Sequence, residues 1–150
     1  MSRSGYTDDD EDGRLNLYRA NVDRTIAGKR GQAFLREMAA ALDAMPVKEL
    51  VAGDIVRDDG HVCAIGSVAL ARKLDVSKLD VYDGDEVGKT FGITRILACE
   101  IAYENDEHRS YDYEAHRFTE ETPEGRWKRM RAWVASCLRP EPTATGVAGV

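Results

Sequence analysis

Apolar residues recur at three- and four-residue steps through most of the chain, the spacing of one helix face. Leu17, Tyr18, Val22 and Ile26 form a partial stripe that predicts a helix over 16–27. Gly28 and Gly31 then bracket a break, GKRG. Phe34, Leu35, Met38, Ala41, Leu42 and Met45 predict a second helix over 32–45, which Pro46 must stop. The pattern changes after that. Two short β-branched runs flank Asp58-Asp59-Gly60, a hairpin turn signal, and predict strands near Leu50–Val56 and His61–Ala64. Gly66-Ser67 opens a short helix to about Leu74, with Ser67 as its expected N-cap. A turn-rich stretch follows. Next comes a short helix over 85–91 closed by Gly92, and then a helix that Thr94 caps and that runs to Tyr103. Residues 104–121 have no period and read as a long loop. Thr122-Pro123 starts a last helix to Leu138, with Trp127, Met130, Trp133, Val134 and Leu138 on its apolar face.

The expected fold is therefore mostly α (α+β): about five helices with one small β-hairpin near 50–64, in a single domain over residues 14–139. Residues 1–13 include five adjacent acids, Asp8 to Asp12, and read as a disordered acidic tail. Residues 140–150 are mixed Pro, Thr, Gly and Ala and read as a second tail. Deleting residues 1–12 is then expected to leave stability nearly unchanged, whereas Trp127 is expected to be core.

Composition narrows the function. The chain has 150 residues, of which 43% are hydrophobic, and a net charge of −6, which opposes a dedicated nucleic-acid binder. No apolar run is long enough for a membrane span, and the N-terminus lacks a secretory pattern. The three cysteines, Cys63, Cys99 and Cys137, are dispersed and form no CxxC. These features predict a cytoplasmic protein. The charge is also blocky: residues 14–38 and 123–139 each sum to +4, and residues 76–122 sum to −7. The acidic middle can face the basic helices within the fold, or it can dock on a basic partner.

The chemical motifs are weak. Residues 69–83 resemble a helix-turn-helix core, but Asp75 stands where Gly is usual, and Asp80, Asp83 and Asp85 would repel phosphate. GKT at 88–90 lacks the upstream glycine and strand of a phosphate loop. His108 and His116 lie among Asp106, Glu107, Asp112 and Glu114 without metal-site spacing. Cys63 lies two residues from His61 but within an apolar run, and reads as a buried thiol. The basic string RWKRMRAWV could face RNA or a membrane, but its tryptophans fall on the core stripe. No catalytic residue, metal site or cofactor is expected.

Several strings occur together: GKRGQAFLREM at 28–38, ALDAMP at 41–46, VCAIG at 62–66, YENDE at 103–107 and ETPEGRWKRMRAWV at 121–134. In this combination the chain resembles a family of small uncharacterised proteins encoded by bacteriophages and prophages. The resemblance implies a phage accessory protein in the bacterial host cytoplasm and no particular chemistry. The expected function is binding to a host protein with a basic surface, with antagonism of a host defence factor as one form of it. The expected contact residues are Asp83, Asp85, Glu86, Glu104, Asp106 and Glu107. Acidic groups at the end of a helix oppose its dipole, so the last three are either paired internally, by Arg109, Arg126 or Arg129, or presented outwards. The outward reading is the expectation. Alternatives are a nucleic-acid-associated protein using the basic helices 14–38 and 123–139, a virion component, or an enzyme with a dispersed site.

Overall fold

The computed structural model describes residues 2–6, 14–108 and 111–141. They form six helices: α1 (Arg14–Ala27), α2 (Lys29–Ala44), α3 (Ala64–Arg72), α4 (Gly84–Phe91), α5 (Arg95–Asp106) and α6 (Pro123–Cys137). A two-stranded ladder, β1 (Tyr111–Asp112) and β2 (Arg117–Phe118), lies between α5 and α6. The protein is mostly α, as the periodicity requires. Helix α2 packs on α1, α3 and α6, and α5 packs on α1, α3, α4 and α6. One apolar cluster runs through all six helices, with Leu35, Leu42, Val68, Leu97 and Met130 fully enclosed.

The helix ends follow local chemistry. Thr94 and Thr122 accept from the N–H groups of Leu97 and Gly125, Asp83 accepts from those of Asp85 and Glu86, and Gly92 takes the left-handed conformation that closes α4. Each cap fills a donor or acceptor that the helix leaves open. Helix α3 departs from expectation. It starts at Ala64, and the Cys63 sulfur, not Ser67, accepts the N–H of Gly66. Gln32 is buried and joins three ends: its amide donates to Ile26 O and Cys137 O, and its carbonyl accepts Arg139 N–H. The GKRG segment is only a one-residue break, because α2 resumes at Lys29 and Gly31 lies against the last carbonyls of α1.

The hairpin is not where the Asp-Gly signal put it. Residues 50–63 form an irregular loop with one isolated bridge, Val56 to Val62, because Gly53 at φ +87° bends the first run and the second ends at once in α3. The ladder lies in the stretch read as a long loop. There Asp112 accepts the N–H groups of Glu114 and Ala115, and His116 at φ +52° completes the turn. The N-terminal reading needs a larger correction. Residues 2–6 are not a tail: Arg3 and Ser4 are buried against the helical body, 7% and 4% exposed. The acidic run 8–12 and residues 142–150 lie outside the described residues. Trp127 and Trp133 are half-buried rather than core, and Met130, Val134 and Cys137 fill that side of α6.

Helix α3 crosses the 50–63 loop so closely that a Cβ on Gly66 would collide with the carbonyl oxygen of Ile55 and lie 2.8 Å from Val62 Cβ. Alanine normally favours a helix by about 1 kcal/mol over glycine. Gly66→Ala is nevertheless expected to lower stability by about 1–3 kcal/mol, the usual result of overpacking a rigid contact. Chemical denaturation of the two proteins measures the sign.

Candidate functional site

The largest polar assembly lies along α5. Its sequence places Glu100 in the apolar run ILACEIAY, and Glu100 is 1% exposed. A buried carboxylate needs partners, and Glu100 has two, which make three hydrogen bonds. Arg19 of α1 donates to both oxygens (3.0 and 3.2 Å), and the Tyr6 hydroxyl donates to Oε2 at 2.6 Å. Tyr18 OH donates to Tyr6 OH at 2.9 Å, and the Tyr6 ring packs between those of Tyr18 and Tyr103, with centroids at 5.3 and 5.1 Å. Burial raises the Tyr6 hydroxyl above its usual range, and the bond to Glu100 adds to the shift.

Nearly two turns further on, Arg3 meets Asp106 in a two-pronged pair, Nε–Oδ2 2.8 Å and Nη2–Oδ1 2.7 Å. Its third nitrogen lies 3.5 Å from the Cys63 sulfur. Asp106 also accepts from the Asn105 amide and Gly53 N–H. Burial opposes ionisation of Asp106, but the Arg3 fork outweighs it and holds the carboxyl below its ordinary value. Ser4 donates to Glu107 at 2.6 Å. Glu104 is buried and paired with His108 at 2.9 Å. Burial pushes its carboxyl upward, and His108 opposes the shift.

Glu104, Asp106 and Glu107 are therefore not presented outwards. Asp106 and Glu107 face the chain's own N-terminal segment, and Glu104 turns inward. The basic side chains of α6 do come to this helix end, but they take its open carbonyls. Arg129 donates to Glu104 O and Asn105 O, and Arg126 donates to Asn105 O. Both arginines also pair with Glu121. Cations at a helix C-terminus offset the dipole, so the acids there carry no net penalty. Asp83, Asp85 and Glu86 are exposed in the first turn of α4, a favourable place for negative charge. The expected contact set thus splits in two: an enclosed group on α5 and an open group on α4.

Sequence reasoning missed Arg3, Ser4, Tyr6, Glu100 and Asn105. The available signals were a lone charge inside the apolar run of α5, and an arginine and a tyrosine close before the acidic run. The other motifs dissolve into structure. No second helix follows α3, because residues 73–83 are turns. Thr90 of GKT bonds back to Glu86 O within α4. The Cys63 sulfur faces Arg3 and Gly66, whereas the His61 ring faces Asp59 at 3.0 Å. Among the described residues, no three of His, Cys, Asp and Glu gather as metal ligands, and no helix is long and apolar enough to cross a membrane. Comparison with family models, curated proteins and solved structures finds no match.

Because Arg3 is enclosed with Asp106, Arg3→Ala should cost about 3 kcal/mol, the result of leaving a buried carboxylate without its cation. Deleting residues 2–6 should therefore destabilise the fold. The sign with pH follows from the depressed Asp106 carboxyl. Its contribution is present above its ordinary value of 3.8 and is lost as pH falls through the lower folded value. The stability gap between wild type and Asp106→Asn should close below about pH 4. Urea midpoints measured across that range test this.

Proposed function

We propose that the chain is a binding protein that docks on the basic surface of a partner protein through the exposed acidic corner at the start of α4. One observation carries this reading. Among the described residues, the side-chain carboxylates of Asp85 and Glu86 stand side by side in one exposed helix turn without an ion pair, whereas other unpaired acids such as Asp75 and Glu124 stand singly, and Asp43, Asp59, Glu37, Glu100, Asp106 and Glu121 each hold an arginine. Asp83 adds a third charge beside its capping role, and Tyr82, half exposed, gives the corner an aromatic edge. Unscreened like charges on a rigid turn attract an oppositely charged surface and speed encounter with it. If the resemblance to phage proteins holds, that partner is a host protein.

The nucleic-acid reading has less support. Several of its cations are engaged within the fold: Arg19 with Glu100, Arg126 and Arg129 with Glu121, and Arg131 with Asp43.

The test is the double variant Asp85→Asn, Glu86→Gln. Removing two charges that complement a helix dipole should cost about 1 kcal/mol or less. A protein retained by the immobilised wild-type chain at low salt should be lost with the variant and released from wild type at high salt. An identical set of retained proteins for both chains refutes the reading.

A further inference from the structure

The contacts that hold residues 2–6 describe a ligand. An arginine enters a pocket formed by Asp106, Cys63 and the 51–55 loop. A hydroxyl one residue later meets Glu107, and an aromatic hydroxyl three residues later sits between Tyr18 and Tyr103 over Glu100. The receiving groups are positioned by the helical body. Asp106 is held by Asn105 and Gly53, Glu100 by Arg19, and the Cys63 sulfur by its capping bond to Gly66. These three receiving groups therefore keep partners of their own apart from residues 2–6. Nor do those residues belong to a ladder or helix. Among the described residues, their one backbone–backbone hydrogen bond is internal, Gly5 N–H to Ser2 O, so side chains alone attach the segment. A segment attached in this way can lift without unravelling secondary structure.

We propose that the α5 groove is a peptide-binding site that its own N-terminal segment occupies in cis. Its partners are peptides that turn as residues 2–5 do and present arginine, then a hydroxyl residue, then tyrosine two positions after that. The planar two-pronged pair with Asp106 selects arginine over lysine. This surface is distinct from the acidic corner on α4. The cis segment competes at an effective concentration on the order of millimolar, so binding from solution strengthens when the cis segment is weakened.

The experiment uses the full chain and a fluorescein-labelled peptide Ser-Arg-Ser-Gly-Tyr, followed by anisotropy. Arg3→Ala should bind the peptide at least tenfold more tightly than wild type. The second substitution Asp106→Asn should abolish the gain, and a peptide with alanine in place of arginine should not bind. Where Arg3→Ala does not fold, Arg3→Lys keeps the charge, loses the fork and should show the same direction. Equal binding by wild type and the Arg3 variant overturns the proposal, as does equal binding of the alanine peptide. A wild-type dimer that Arg3→Ala disperses would assign the groove to a second copy and also overturn it. The double variant Asp85→Asn, Glu86→Gln should bind the peptide like wild type, so failure at either surface is read separately.

Discussion

A buried amide has no water in reserve, so each of its hydrogen bonds must be met by protein. Asn105 meets this condition where α3, α5 and α6 come together. Its side-chain oxygen accepts the first N–H of α3 at Ala64, and its nitrogen donates to Val51 O and to Asp106. Its own carbonyl accepts from Arg126 and Arg129 of α6. One side chain thus sets the height of the 50–63 loop, the start of α3 and the orientation of Asp106. The pocket for Arg3 follows from those positions. Gln32 plays the matching part at the other end, where it ties α1, α2 and the end of α6.

Charge in this molecule is arranged by separation in sequence. The basic blocks at 14–38 and 123–139 meet the acidic middle through Arg19, Arg126 and Arg129, so part of the blockiness is consumed inside the fold. What remains outward is set by local need. The acids of α4 stand where the dipole of that helix favours them. They satisfy the helix and remain exposed.

Legibility in the sequence followed the range of the interaction. The Thr94 and Thr122 caps, Pro123 at the start of α6 and Gly92 after α4 are decided within a few residues, and the pattern reveals them. The Asp58-Asp59-Gly60 turn is equally local, and it is real as a turn. Whether a ladder grows from it depends on Gly53 and on where α3 begins, which the turn does not encode. Glu100 stands as a charge in an apolar run, a signal that went unread, and its partners lie in α1 and before it. Arg3 was illegible for the same reason: nothing near it in sequence marks it as buried. The half-burial of Trp127 shows the same limit, since the stripe locates a face but not the depth to which α2 covers it. Its indole N–H reaches Leu42 O only from the rim of that contact.

The attachment of residues 2–6 also orders events in time. Arg3 and Asp106 are 103 residues apart, so residues 2–6 have no place to bind until α5 has formed and packed. Closing so long a loop is entropically costly, and side chains alone reward it. Docking of the segment thus adds a long-range contact to helices that pack on one another without it. Before that contact forms, the protein carries an open acidic cleft and an unpaired arginine of its own.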